Sequence, residues 1–370
     1  MRTLAQLQTP CLLLDLGILK RNLGKMVEAM ARRPGVALRP HLKTAKCAQV
    51  ADLAAPGKGA ITVSTLAEAR YFADHGFRDQ IYAVGIVPAK LDAVAALNTA
   101  GNAVKVITDD LDVARAIAAH PGPIEALIEV DVGEGRAGVA PDSAALLAIG
   151  AVLGKRLAGV ASHSGHSYAG RSIEAMAEIA EVERAGIVRA AARLREAGHA
   201  VPIVSAGASP TALYAKYLEG VTEMRAGVYT LGDLFQAQIG THGMDDIAVT
   251  VLSAVIGRYP QRGAVLVDAG ALALSKDRST ENAARDWKFG RVLDLDGKPM
   301  PGEALVVRVH QEHGEVRAAE GGRLPLERLP VGALVRVAPN HACLTAAAHD
   351  RYHVLEGGKL VAEWARVNYW

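Results

Sequence analysis

Between residues 36 and 229, eight short apolar runs rich in β-branched residues alternate with Ala/Leu-rich amphipathic stretches. The runs are VALRPHL (36–42), AITVSTL (60–66), QIYAVGI (80–86), AVKVIT (103–108), IEALIEVD (124–131), LAGVASHS (157–164), PIVSAG (202–207) and TEMRAGVY (222–229). Stretches such as AKCAQVADLAA, TLAEARYFADHG and DLDVARAIAAH lie between them and repeat apolar residues at i, i+3, i+4 and i+7. Near-continuous apolar strands separated by helices are parallel strands buried on both faces. Eight such units predict an α/β fold, a closed (β/α)8 barrel of TIM type with its chemistry at the C-terminal ends of the strands. An open doubly wound sheet is the alternative, but no GxGxxG follows the first strand. Within the longest helical stretch, residues 171–197, Gly186 predicts a division into two helices.

After about residue 245 the texture changes. DIAVTVLSAVIGRY, GAVLVDAG, FGRVLDLDG, EALVVRVHQEHG, GALVRVAPNHACL and RYHVLEGGKLVAEWARV are strand-like runs parted by Gly, Pro and Asp turn signals. They predict a mostly antiparallel β domain. CLLLDL (11–16) has no helix pairing it with the barrel and is expected to join that domain. The predicted organisation is a barrel over 20–240 and a β domain from 1–19 with 241–370.

Composition narrows the class of function. The 41 basic and 39 acidic side chains nearly cancel, so no global field favours nucleic acid or an acidic membrane surface. Cys11, Cys47 and Cys343 are an odd number in a large chain, which argues against a disulfide framework. The start, MRTLAQLQTPCLLLDL, lacks the basic opening and long apolar stretch of a secretory signal, and no segment reaches ~18 uninterrupted apolar residues. A cytoplasmic protein with a small-molecule substrate is the expectation.

The first barrel run ends RPHLKTAK, which puts Lys43 at the C-terminal end of its strand and His41 two residues earlier on the same face. A lysine held in an apolar strand end is a usable amine nucleophile; the plainer alternative is a lysine reaching into solvent. The ends of other runs add DVGEGRAG with Arg136, SHSGHSY with His163, His166 and Tyr168, and SAGASPT with Gly207, Ser209 and Thr211. The eighth adds RAGVY with Gly227, Val228 and Tyr229. A phosphate site built by the loops after strands seven and eight recurs in such barrels. A lysine, a phosphate cradle and polar groups at one barrel face point to pyridoxal phosphate.

A second constellation lies in PNHACLTAAAHDRYH. His341 and Cys343, at i and i+2, project from one face if the segment is a strand, and imidazole with thiolate suits Zn2+, Mn2+ or Co2+ being the alternatives. His349 and His353 are ligand candidates only if their stretch is helical, and otherwise surface or packing residues. QEHG (311–314) offers Gln311, Glu312 and His313 as polar groups near the same end.

RPHLKTAK, EVDVGEGRAG, SHSGHSY, SAGASPT, EMRAGVY, VDAG, QEHG and PNHAC, occurring in that order, together resemble the D-serine dehydratase and D-threonine aldolase family of fold-type III pyridoxal-phosphate enzymes, which share the architecture of alanine racemase. The likeness runs from TPCLLLDL to the final tryptophan. It implies that Lys43 carries the cofactor, that Arg136, His163 and Tyr168 lie about its ring, and that Gly207, Ser209, Thr211, Gly227, Val228 and Tyr229 form its phosphate loops. It also implies a divalent metal, Zn2+ foremost, at His341 and Cys343, with Gln311 beside the chemistry, and a homodimer. His-x-Cys and QEHG resemble the dehydratases more than the aldolases. The function implied is therefore a metal-assisted lyase that dehydrates D-serine, D-threonine or D-3-hydroxyaspartate to a 2-oxo acid and ammonia. A D-threonine aldolase is the alternative reading, and a non-catalytic pyridoxal-phosphate carrier a further one.

Overall fold

A computed structural model describes residues 3–370; Met1 and Arg2, at the head of the expected 1–19 segment, lie outside them. The chain divides into two compact units, one of Gly24–Gly227 with Tyr369–Trp370, the other of the residues through Leu23 with Val228–Asn368. The boundaries differ from the expected 20 and 240. Residues 228–240 join the β unit because their backbone bonds there: the Leu234 N–H donates to Pro339 O (3.0 Å) and the Phe235 N–H to Asn340 O (3.2 Å).

The chain opens with β1 (Cys11–Asp15) and α1 (Leu16–Ala31). The barrel unit then alternates β2 (Ala37–Pro40), α2 (Ala48–Ala54), β3 (Ile61–Val63), α3 (Leu66–Asp74), β4 (Asp79–Gly85), α4 (Leu91–Thr99), β5 (Ala103–Thr108) and α5 (Leu111–Ala119). It continues with β6 (Glu125–Val130), α6 (Ala144–Leu153), β7 (Leu157–Ser162), α7 (Ile173–Glu196), β8 (Ile203–Ala206), α8 (Ser209–Tyr214) and β9 (Glu223–Ala226). Each of the eight strands falls on one of the eight apolar runs, β4 beginning one residue ahead of its run, at Asp79. They pair in parallel in the order β2-β9-β8-β7-β6-β5-β4-β3. A bridge between His41 and Thr62, with the Leu42 N–H donating to Thr62 O (2.8 Å), joins the ends of β2 and β3 and closes the ring.

Short polar caps start the helices after the strands. Thr65, Asp110, Ser143 and Ser172 each accept a first-turn N–H of α3, α5, α6 and α7, satisfying donors a helix end leaves open. Ile81, Ile107, Leu127, Ala158 and Ala161 form one buried cluster of the barrel, and burying each of the larger three is worth about 1.5–3 kcal/mol. The expected division of 171–197 is not found: α7 is one helix of 24 residues. Gly186 lies buried inside it, where a Cβ would come within 3.2 Å of Val132 Cγ1 and 3.5 Å of Pro141 Cγ. The glycine lets the helix approach a loop; it does not end the helix.

The β unit adds α9 (Leu234–Gln238), β10 (Val249–Tyr259), β11 (Ala264–Val267), α10 (Ala271–Leu274), β12 (Arg291–Leu293), β13 (Ala304–Val309) and β14 (Gly314–Ala318). It ends with β15 (Leu334–Ala338), α11 (Ala342–Ala346), β16 (Arg351–Glu356) and β17 (Lys359–Ala365). Strands β10, β11, β14, β13, β12 and β15 form a closed antiparallel ring of six. A bulge between Val255 and Gly257 bends β10, so that its first part pairs with β15 and its last part with β11. As its sequence predicts, β1 joins this unit, antiparallel to β10 and parallel to β16.

The VDAG and QEHG motifs are packed on each other. The Ala271 N–H donates to His310 O (2.7 Å), and a Cβ on Gly270 would lie 2.4 Å from Gln311 O. Among the described residues no helix is long and apolar enough to cross a membrane.

Candidate active site

Strand β2 ends at Pro40, and the chain turns over His41–Ala45, the Lys46 N–H donating to Leu42 O (2.7 Å). Lys43 stands in that turn and is exposed. It is therefore at the C-terminal end of its strand as expected, but neither buried in it nor on a shared strand face with His41, because the strand has already ended. His41 and His163 nevertheless stand in its field. Burial first, then Lys43, Arg225 and His163, push the His41 imidazole well below its ordinary range. Burial, then Arg136, Lys43 and Arg225, carry His163 down to about 3. Nδ1 of His163 lies 3.2 Å from Gly207 O. A neutral ring that donates to that carbonyl carries its hydrogen on Nδ1 and keeps a lone pair on Nε2.

The loops after β8 and β9 are shaped by glycine. Gly207 has φ +124°, and a Cβ there would lie 2.6 Å from Arg225 O. A Cβ on Gly227 would lie 2.8 Å from His41 O. Ser209 and Thr211 are fully buried at the start of α8. The Thr211 hydroxyl is occupied within the loop, accepting from the Ala208 N–H (3.0 Å), so it shapes the loop. Val228 and Tyr229 follow Gly227 and are both buried.

Behind these loops is a buried charge set to which Glu183, outside every quoted motif, contributes. Arg225, on β9, donates to Ser205 O (2.8 Å), to the Ser205 hydroxyl (2.7 Å) and to Ser162 O. Glu183, from α7, accepts from the Gly207 N–H (2.8 Å) and the Ser162 hydroxyl (2.9 Å). A lone buried charge is costly, and Glu183, Glu223 and Glu129 offset Arg225. Arg136 is half-exposed, 3.6 Å from Glu129 and 3.7 Å from Glu134. Burial raises Glu129, Arg136 pulls it down and Asp109 raises it again, the net direction being upward. His166 and Tyr168 lie half-buried on the turn Gly165–Ala169. The buried Ser164 hydroxyl and His166 Nδ1 have no hydrogen-bond partner among the described residues. Both are polar atoms beside the proposed ring-lining residues, as a polar cofactor in this mouth requires.

In the β unit His341 and Cys343 do come together, though not on a strand. His341 is the N-cap of α11, with φ −135° and ψ 104°, and Cys343 lies in the first turn. Asp277, unmarked by any motif, places Oδ2 3.7 Å from His341 Nδ1. Burial alone would lower the His341 imidazole, but Asp277, the Cys343 thiol and Asp233 carry it up to about 11. Asp233 is fully buried, and burial raises it to about 6 against the pull of His341. Its Oδ2 accepts from the Ala342 N–H (2.9 Å) and its Oδ1 from the Gln236 N–H (2.8 Å). Among the described residues no group of three or more His, Cys, Asp or Glu stands ready as a metal cluster. The donor set is thus an imidazole and a thiol, which suits a borderline-soft cation with positions left for water or substrate.

The remaining candidates have other surroundings. Gln311 is exposed on the turn between β13 and β14, its amide donating to Glu312 (3.2 Å), and His313 is exposed beside them. His349 lies 3.1 Å from Ala273 O, and His353, on β16, 3.4 Å from Glu363. They are packing residues. None of the three cysteines is in a disulfide.

Two family models match the chain: the alanine racemase N-terminal domain over residues 14–234, and a putative serine dehydratase domain over residues 248–355. D-threo-3-hydroxyaspartate dehydratase of Delftia sp. (strain HT23) is 43% identical, covering 100% of this chain and 99% of its own. D-serine dehydratase of Dictyostelium discoideum is 31% identical over 94% and 93%, and D-threonine aldolase of Arthrobacter sp. 30% over 98% and 92%. The solved Delftia dehydratase superposes with TM-score 0.96 over 100% of both chains at 41% identity. A cysteine-to-alanine mutant of that enzyme, described as the metal-free form, superposes with TM-score 0.95. Alanine racemase of Clostridium difficile 630, at 15% identity and TM-score 0.69 over 98% of this chain, shares the fold.

Proposed function

The chain belongs to the alanine-racemase-like family of D-serine dehydratases and D-threonine aldolases, and from that premise we propose that it is a pyridoxal-phosphate- and divalent-metal-dependent lyase. Its reaction is dehydration of a D-3-hydroxy amino acid to a 2-oxo acid and ammonia, D-threo-3-hydroxyaspartate and D-serine being the foremost substrates. The observation that carries dehydration over aldol cleavage is the full-length likeness to the Delftia dehydratase, 43% identical against 30% for the Arthrobacter aldolase.

When bound, pyridoxal phosphate supplies an electron sink for negative charge at the substrate Cα, and the metal a Lewis acid for the departing hydroxyl. Lys43 would hold the cofactor through Nζ, and the same amine is the proposed base for the Cα proton. Its exposure at the barrel mouth leaves it accessible for both tasks. Ser209, Val228 and Tyr229 would hold the phosphate, with Thr211 fixing the loop through its bonds to Ala208, and Gly207 and Gly227 giving the loops their close approach. His163 and Tyr168 would flank the ring with Arg136. His163 stays neutral at working pH, its lone pair on Nε2, and so adds no proton of its own. His341 and Cys343 would hold the metal, Zn2+ foremost, with Mn2+ or Co2+ as alternatives. The metal-free cysteine mutant of the Delftia enzyme supports that assignment. Gln311, exposed on its hairpin, is assigned no step. The working form is proposed to be a homodimer.

Product analysis tests the reading. Metal-replete enzyme is incubated separately with D-threonine, D-serine and D-threo-3-hydroxyaspartate. Ammonia with 2-oxobutanoate, pyruvate or oxaloacetate is expected. Glycine with acetaldehyde or glyoxylate would establish the aldolase instead.

A further inference from the structure

We propose that Asp233 is a positioning residue for the metal pair, acting through the backbone of the helix on which the pair stands; this rests on the reading that His341 and Cys343 hold a divalent cation. Helix α11 has five residues, too few to persist without fixed ends, since helix nucleation is unfavourable and short helices are marginal in water. His341 is its N-cap residue yet makes no side-chain capping bond, which leaves the imidazole for other work. The cap is supplied from elsewhere in the unit. The Ala342 N–H, which lies between the two proposed ligands in sequence, donates to Asp233 Oδ2 (2.9 Å). The other carboxylate oxygen accepts from the Gln236 N–H (2.8 Å), so one buried side chain caps α9 and α11 together.

The far end of α11 is closed by the opposite charge. Buried Arg366 donates to Ala346 O and to His349 O (2.7 Å). An anion at the first turn and a cation at the last match the helix dipole. Thr345 adds a hydroxyl bond to Leu274 O (2.8 Å). Just before the helix, Asn340 donates to Asp277 O (3.0 Å), tying the Asp277 segment to the residue that precedes His341. Among these side chains it is Asp233 that bonds the Ala342 N–H, in the peptide that joins His341 to Ala342. Its replacement frees the backbone that sets the angle between imidazole and thiol.

The test uses the cofactor-loaded full chain with Zn2+ and Co2+ as probes. Zn2+ affinity is measured by competition with a chelating dye, and the thiolate-to-metal band of the Co2+ form by absorption. Asp233→Ala is expected to weaken Zn2+ binding about 10- to 100-fold and to shift or weaken the Co2+ band, while the visible absorption of the bound cofactor persists. Asp233→Asn, which keeps one oxygen acceptor, is expected to fall between Asp233→Ala and wild type. If the alanine variant fails to fold, Asp233→Asn and Arg366→Gln give the same readings. Wild-type affinity with an unchanged Co2+ band in these variants overturns the proposal, provided His341→Ala abolishes binding. If His341→Ala also binds as wild type, the metal assignment itself fails, and the proposal with it.

Discussion

At the scale of single residues, the environment sets what each candidate can do. Lys43 is exposed in a turn, yet its charge reaches His41 and His163, so the amine is close to the groups proposed to flank the cofactor ring. Lys43→Ala is expected to abolish the visible absorption of protein-bound pyridoxal phosphate. A retained band that borohydride still fixes onto the protein would refute the assignment. His163 makes a prediction about pH. Its imidazole titrates near 3 in the folded chain and near 6.5 when free, so protons bind on unfolding throughout that window. Stability contributed at neutral pH is lost as pH falls below about 6.5, by up to about 1.4 kcal/mol per unit. Urea midpoints of the cofactor-free protein at pH 7 and pH 5 are expected to show His163→Gln losing about 2 kcal/mol less than wild type. Equal losses would mean that His163 is not held neutral. His341→Ala and Cys343→Ala are expected to lose metal and turnover while keeping the cofactor, measured by metal analysis beside the visible spectrum. Full activity in either variant after metal stripping would remove the metal from the mechanism.

At the scale of elements, the barrel strands were legible and their ends less so. Apolar runs such as AVKVIT carry their own evidence, because a strand buried on both faces has little room for polar residues. Lys43 stands at the C-terminal end of its strand as read, but its burial and its shared face with His41 were misjudged, because β2 ends at Pro40 and the chain turns over His41–Ala45. Gly186 was misjudged for a related reason. A glycine inside a helix costs about 1 kcal/mol, which reads as a break, but here Val132 and Pro141 need the space. Gly207 shows the same constraint at a loop proposed to hold the cofactor phosphate. Gly207→Ala would force a Cβ against the Arg225 backbone at a φ of +124°. Neither side can yield without moving β9, so a loss of about 3 kcal/mol or more is expected. Cofactor affinity should fall with it, since the loop would shift. Urea denaturation and equilibrium dialysis of pyridoxal phosphate check the two effects, and wild-type values for both would show that the loop absorbs the methyl group.

At the scale of the whole molecule, the proposed cofactor lysine lies in the barrel unit and the proposed metal pair in the β unit. Stripping the metal with a chelator is therefore expected to end dehydration and leave the cofactor spectrum in place, with Zn2+ restoring turnover. Undiminished ammonia release by metal-free enzyme would contradict the proposed division of labour. The eight-strand barrel, the second β domain and the membership of β1 in it could all be read from the sequence, because each is written in local periodicity or in a short run of contiguous residues. The charges behind the motifs could not. Asp233, Asp277 and Glu183 act on partners distant in the chain: Asp233 bonds Ala342, Asp277 faces His341, and Glu183 bonds Gly207. Only the closed strand rings and the packed loops bring such pairs within hydrogen-bond or ion-pair distance, and buried charge is tolerated there because its partner is already in place. The sequence by itself determined the scaffold and the chemistry-bearing side chains. The tertiary structure decided what holds them, where Lys43 leaves its strand, and that His341 and Cys343 meet on a turn of helix.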